Sequence, residues 1–263
     1  MMRPVFLQRA LSAALAAAEA AGGELLRRYG KALSVERKDD QSPVTEADRA
    51  AEAAILATLR AAFPDHAFYG EESGRSGQSE FLWLIDPLDG TRSFIRSQPM
   101  FSVQIALWHE ERVVLGVSHA PAFGETAWAV AGGGAFLDGR PLRCRGEVAL
   151  TQAHLSFGNL KRLAASPRGF PALAEFVVEA ERVRGYGDFF HYHRLAEGAL
   201  DAVIESDVHV LDVAALSLIV EEAGGIFTDL GGRRLTLATS SVLAAGSREL
   251  HRELLARLSE EAA

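Results

Sequence analysis

The stretch Phe81–Thr91, read FLWLIDPLDGT, constrains this chain more than any other. Its apolar half, Phe81 to Ile85, reads as a buried strand. It then turns polar within one residue, into Asp86, Pro87, Leu88, Asp89, Gly90 and Thr91. Two carboxylates this close repel each other unless a cation lies between them. Oxygen ligands with no cysteine nearby point to a hard ion such as Mg²⁺. Gly90 and Thr91, at an expected helix start, would turn backbone N–H groups toward a phosphate. The same residues equally fit an Asx-turn followed by a helix cap.

The rest of the chain narrows the classes open to it. At 263 residues it can bury one large core or two closely packed lobes. The formal net charge of −8 argues against non-specific binding to nucleic acid or to an anionic membrane. Cys144 is the only cysteine, which excludes an intramolecular disulfide and a thiolate metal cluster; it reads as a small filler. The alanine-rich start superficially resembles a signal peptide, but Gln8, Arg9 and Glu19 interrupt it. Val5, Leu7, Leu11, Leu15, Leu25 and Leu26 instead share a broad face of one long helix, ended by Gly30. The expected location is therefore cytoplasmic, with no membrane span.

Reading onward, 34–38 suggests a short edge strand, and Thr45 with Asp48 forms a capping box for a helix that stops at Pro64. A strand over 66–69 leads into Gly70-Glu71-Glu72-Ser73-Gly74, and 74–79 has the composition of a mobile flap. Strands are expected over 101–108, 113–119, 126–130 and 135–137, with Gly132-Gly133-Gly134 as a turn. Polar composition at 145–147 suggests a division into lobes of about 1–147 and 148–263. The second half reads as strand 153–157, helix 171–180, strand 182–184, helix 188–198 and strand 202–204 ending in Glu205. An apolar helix over 211–223 carries Asp212 at its start and ends at Gly224-Gly225. Strands 226–228 and 241–245 and an amphipathic helix 248–258 close the chain. Alternating helices and strand layers predict an α/β or α+β fold. His191 and His193 are expected on a helix surface.

Glu71, Asp86, Asp89 and Asp212 thus stand where strands end or helices begin, and Asp48 stands near a helix start. Sequence alone does not bring them together. Were they to converge, three or more carboxylates in one cleft would hold more than one divalent ion, a clamp suited to phosphoryl transfer.

WLIDPLDGTRSF, with GEES upstream and LDVAALSLIVEEAGG downstream, resembles the inositol monophosphatase superfamily over nearly the whole chain. The resemblance implies a layered αβαβα sandwich and a Mg²⁺-dependent, Li⁺-sensitive phosphomonoesterase holding two or three Mg²⁺, with Mn²⁺ as a possible substitute. It implies a homodimer. It makes Glu71, Asp86, Asp89, Asp212 and the Leu88 carbonyl the metal ligands, and Asp48 with Thr91 the pair that polarises the attacking water. Gly90 and Thr91 would hold phosphate beside Asp89, and Lys38 corresponds to a phosphate-side lysine, although the loop from it to Asp48 is one residue short. Hydrolysis would then be in-line attack of water on phosphorus, with no phosphoenzyme. Leu211 departs from the aromatic residue that many members carry before the last Asp.

Two segments bear on substrate. Thr91-Arg92-Ser93-Phe94-Ile95-Arg96 resembles the T-K/R-S-F-x-R pattern of the histidinol-phosphate phosphatase branch, and Gly187–Tyr192 its G-D-x-x-x-Y segment. Glu205, seven residues before Asp212, falls where the family places an acid facing the organic part of the substrate; Asp212 is a substrate-side candidate too, and Asp188 would add a further anion. Asp188 also fits an N-cap. The expected substrate is a small alcohol phosphate, with histidinol phosphate favoured over inositol 1-phosphate. A nucleotide bisphosphate, or a silent ligand-binding member of the family, is a further alternative.

Overall fold

The structure, a computed structural model, describes residues 4–31, 35–37 and 43–258. The first half runs α1 (Pro4–Arg28), β1 (Val35–Arg37), β2 (Pro43–Thr45), α2 (Glu46–Ala62), β3 (Ala67–Gly70), β4 (Gly74–Ser76), β5 (Phe81–Asp89) and α3 (Thr91–Ile95). Strands β6 (Ser102–His109), β7 (Arg112–Ala120), β8 (Glu125–Val130), β9 (Ala135–Leu137) and β10 (Arg140–Pro141) follow. After a 3₁₀ turn come β11 (His154–Gly158), α4 (Lys161–Ala165), α5 (Gly169–Glu179), β12 (Arg182–Arg184), α6 (Asp188–Ala196) and β13 (Ala202–Ser206). The chain closes with α7 (Val210–Glu222), β14 (Ile226–Thr228), β15 (Ser241–Ala245) and α8 (Arg248–Leu258).

An eight-stranded sheet has the order β10-β9-β8-β7-β6-β5-β3-β4, antiparallel except where β3 meets β5. A five-stranded sheet has the order β12-β11-β13-β15-β14. Trp83 and Ile85 face α1 and α2 on one side of the larger sheet, whereas Leu84 packs with Val210, Ala214 and Leu218 of α7 on the other. Helices α6 and α7 share a third cluster with the inner face of the smaller sheet, and α5 and α8 cover its outer face. The layers are therefore αβαβα, as expected. Helix α7 is the central layer. From Val210 to Val220 only Asp212 is not buried, which suits a helix apolar on every side.

One irregularity positions the site. Side chains alternate faces along a strand, so acids three residues apart would normally point to opposite sides. In β5 the register shifts: Asp86 lies opposite Gln104 and Asp89 opposite Ser102, three steps on β5 against two on β6. This bulge turns both carboxylates to the α7 face. Strand β5 thus carries the acids within it.

Several boundaries differ from expectation. Gly74–Ser76 is an edge strand paired antiparallel to β3 rather than a free flap, and α5 begins at Gly169, placing Pro171 in its first turn. The Gly132–Gly134 turn is confirmed, its amides closing on the Glu222 carboxylate at 2.7 and 2.8 Å. His191 and His193 are corrected outright, for both are fully buried. An isolated surface helix would expose one face, but α6 lies between two sheets and has two sides to bury.

Candidate active site

Strand β3 delivers Glu71. Its parallel pairing sets Gly70 opposite Ile85, and the Glu71 N–H donates to the Ile85 carbonyl at 3.1 Å, beside Asp86. The Glu71 and Asp86 carboxyls share a hydrogen bond. The turn that presents Glu71 is clamped from below by Glu52 of α2, a residue sequence reasoning missed. Its two oxygens accept the Glu72 and Ser73 N–H groups, each at 2.8 Å. A Cβ at position 70 would stand 2.7 Å from that carboxylate, so the clamp needs glycine there. In sequence Glu52 looked like any polar helix residue.

At the end of β5 the chain turns sharply. Asp86 Oδ1 accepts the Leu88 N–H at 2.9 Å, so the Asx-turn is real and coexists with the acid pair. Gly90 has φ +86°, and a Cβ there would lie 2.4 Å from the Met100 carbonyl oxygen. Only glycine allows this turn. Thr91 Oγ1 lies 2.9 Å from the Leu88 carbonyl oxygen and 3.2 Å from Asp48 Oδ1. The capping box is also present: Asp48 Oδ2 accepts from the Thr45 N–H at 2.8 Å and its hydroxyl at 2.7 Å. Asp48 therefore caps α2 with one oxygen and meets Thr91 with the other.

Asp212 enters from α7, where its Oδ2 accepts the His209 N–H at 2.8 Å in a second capping box. Asp89, Asp188, Glu205, Asp212, Tyr192 and Asn159 line one narrow cleft between the sheets. Asp188 makes no capping bond and has φ +48°, so its expected N-cap role is not observed; Gly187 holds that position. Buried Glu205 accepts from the Tyr192 hydroxyl at 2.8 Å, and His191 Nε2 lies 3.2 Å from the same oxygen. A wider groove beside β12 has Arg182 and Arg184 but only one carboxylate, Glu181, in its lining. Lys38 lies outside the described residues.

Electrostatics set this cleft apart. Burial, then the charges of Glu71, Asp212 and Asp89, push the Asp86 carboxyl well above its ordinary range. Burial, then Asp188, Asp212 and Glu205, do the same to Asp89. Burial first, with Glu71 and Glu205 adding to it, raises Asp212 to about 7, and burial with Glu205 raises Asp188 to about 6. No lysine or arginine figures among these leading influences. Among the described residues, no three His, Cys, Asp or Glu side chains are gathered around a single point. Asp89, Asp188, Glu205 and Asp212 instead line the cleft, and the charge of Glu71 acts on both Asp86 and Asp212. An all-oxygen set that repels itself, with no lysine or arginine among the described residues leading its electrostatics, fits hard divalent cations in chemistry.

Residues 7–263 match the inositol monophosphatase family. A histidinol-phosphatase of Mycobacterium tuberculosis is 40% identical over 262 residues, covering 94% of this chain and 97% of the relative. An inositol-1-monophosphatase of Mesorhizobium japonicum is 34% identical over 252 residues, covering 93% and 94%. The crystal structure of the extragenic suppressor protein suhB from Bartonella henselae superposes with a TM-score of 0.88 at 31% identity, covering 96% of this chain and 99% of that one. Fold and sequence together place the chain in the inositol monophosphatase family. It is a phosphatase, a phosphoric monoester hydrolase.

Glu52→Gln should leave one of the Glu72 and Ser73 amides facing a donor. Urea unfolding should show a loss of about 1–3 kcal/mol, and phosphatase turnover should fall with it.

The raised carboxyls also predict a pH signature. A group whose folded pKa lies above its unfolded value stabilises the fold below that pKa and loses its contribution as pH rises through it. In chelator, the melting temperature should therefore fall as pH rises from about 4, where an unfolded carboxyl ionises, to about 7, where Asp212 ionises, and level off above that. Saturating Mg²⁺ should flatten that slope. Burial lowers the His66, His119, His193 and His251 pKa values, so below about pH 6.5 these groups act in the opposite sense and make the fall shallower.

Proposed function

We propose that this phosphatase is a Mg²⁺-dependent, Li⁺-sensitive enzyme acting on a small alcohol phosphate, with histidinol phosphate as its substrate. The observation that carries the substrate is the second group of acids in the cleft. Glu205 and Asp188 open onto the same narrow space as Asp89 and Asp212, and neither is among the leading charges acting on Asp86. An organic group bound there meets a carboxylate pair, which favours an ammonium over a neutral polyol. The likeness to relatives named histidinol-phosphatase agrees with this.

Glu71, Asp86, Asp89, Asp212 and the Leu88 carbonyl would hold the ions, with Mn²⁺ as a workable substitute. When bound, such ions neutralise charge on the phosphate and leaving oxygen and make water a stronger nucleophile at neutral pH. The chain's own contribution is orientation. Asp48 Oδ2 is occupied by Thr45, so its Oδ1 is left to receive the Thr91 hydroxyl proton. Thr91 Oγ1 then keeps a lone pair to accept a hydrogen bond from water and aim it at phosphorus. Gly90 and Thr91 would direct their amides at the phosphate from a turn that excludes any side chain at position 90. One P–O bond forms to water oxygen, the bond to the alkoxide breaks, and the alcohol leaves with a proton. Lys38 would approach the phosphate from the chain segment before Asp48. The enzyme would work as a cytoplasmic homodimer. No helix of the described residues is long and apolar enough to cross a membrane.

Inositol 1-phosphate is the second reading, supported by the likeness to the Mesorhizobium inositol-1-monophosphatase. Comparison of kcat/KM for histidinol phosphate, inositol 1-phosphate and adenosine 3′,5′-bisphosphate separates the readings. Histidinol phosphate should lead, and Glu205→Gln should erode that lead by raising KM for the cationic substrate most. A preference for inositol phosphate would reverse the assignment.

Asp89→Asn should lower kcat/KM more than about a hundredfold, ~3 kcal/mol of transition-state stabilisation, with circular dichroism unchanged. Near-normal turnover would remove Asp89 from the ion-binding set.

A further inference from the structure

Strand β6 carries two polar side chains on a buried face. Ser102 and Gln104 are fully buried, as are Ser118 on β7 and His193 on α6. Burying such groups is costly unless they bond to one another. They form one continuous line that begins at Asp89. Ser102 Oγ lies 3.1 Å from Asp89 Oδ2, and Gln104 Nε2 lies 2.7 Å from Ser102 Oγ and 3.0 Å from Ser118 Oγ. His193 Nε2 lies 2.9 Å from Ser118 Oγ, and its Nδ1 lies 3.6 Å from Glu125 Oε2. Arg194 Nη2 closes on the same Glu125 oxygen at 2.7 Å.

Hydrogen-bond chemistry allows this line one polarity when Asp89 is ionised. A carboxylate only accepts, so Ser102 donates its single proton to Asp89. Ser102 must then accept from the Gln104 amide, whose second N–H goes to Ser118. Ser118 is left to donate to His193 Nε2. Burial keeps His193 neutral, so its one proton lies on Nδ1, facing Glu125. At 3.6 Å that contact is the attraction of an N–H dipole for the carboxylate rather than a hydrogen bond, so Nδ1 is buried without a hydrogen-bond partner. The opposite setting of Gln104 would make both serines donate inward and would strip Asp89 of its donor. The observed setting leaves Gln104 Oε1 buried without a partner. That cost is consistent with the two ends, Asp89 and Glu125, imposing the direction.

We propose that Ser102, Gln104, Ser118 and His193 are positioning residues, a relay that holds Asp89 in its accepting orientation and is anchored at its far end by Glu125 and Arg194. The relay ties Asp89 on β5 to a charge pair formed by Glu125 at the start of β8 and Arg194 on α6, and none of its members beyond Ser102 is hydrogen-bonded to a cleft acid. It rests on the reading of Asp89 as a cation ligand.

Two measurements test it. Long-range ¹H–¹⁵N spectra of histidine-labelled protein in saturating Mg²⁺, which holds Asp89 ionised, with His193→Gln for assignment, should show His193 as the neutral Nδ1–H tautomer. Calorimetric titration with Mn²⁺ should show Ser102→Ala weakening binding 10- to 100-fold, and Ser118→Ala and Glu125→Gln each weakening it at least about threefold. Glu125→Gln should also move His193 toward the Nε2–H form. A merely structural role would lower the melting temperature and leave both readouts unchanged. An Nε2–H His193 in the native chain overturns the proposal, as do Ser118→Ala and Glu125→Gln if both leave Mn²⁺ affinity unaltered. A native chain that binds no Mn²⁺ refutes the cation reading of the cleft instead, while the tautomer still decides the relay's polarity.

Discussion

Repulsion among carboxylates is the constraint on which this structure depends. Asp86, Asp89, Glu71 and Asp212 come from one strand, a turn and a helix start, and the charges of Glu71, Asp212 and Asp89 together raise the affinity of Asp86 for a proton. No fold gains stability from such a gathering by itself. The chain compensates locally, with the bulge in β5, the Asx-turn at Asp86 and the capping boxes at Thr45 and His209. Each of these devices gives an acid a backbone or hydroxyl donor while leaving an oxygen directed at the cleft.

Around those acids the support is itself polar and buried. Glu52 fixes the Glu71 turn through two backbone amides, and Tyr192 with His191 holds Glu205. Ser156 continues this second line, lying 3.2 Å from His191 Nδ1 and accepting the Tyr186 N–H. In each case a buried polar side chain acts one contact behind an acid. Such residues orient the groups that face the cleft, and replacing them by apolar residues of the same size would preserve packing and lose direction.

Much of the arrangement was legible in the chain, because its signals are local. The capping box at Thr45 and Asp48 depends on residues three apart, and the apolar run of β5 depends on consecutive residues. The histidines of α6 were read as surface residues because the hydropathy of a nine-residue helix says nothing of a second sheet on its far side. The sequence setting of Asp188 suits a cleft anion and an N-cap equally, and the fold selects the first: Asp188 lines the cleft with Glu205 and makes no capping bond.

What the sequence determined by itself is the chemistry: which residues are acids, where strands must stop, where only glycine can turn the chain, and the family that these motifs resemble. These follow from covalent preferences and short-range hydrogen bonds. Tertiary structure alone decided which acids meet. The three-for-two register of β5 against β6 turned Asp86 and Asp89 to one face, and the burial of α6 between two sheets placed His193 against Ser118 and His191 against Glu205. Both outcomes depend on contacts between residues far apart in the chain, where no local pattern records which partner will arrive.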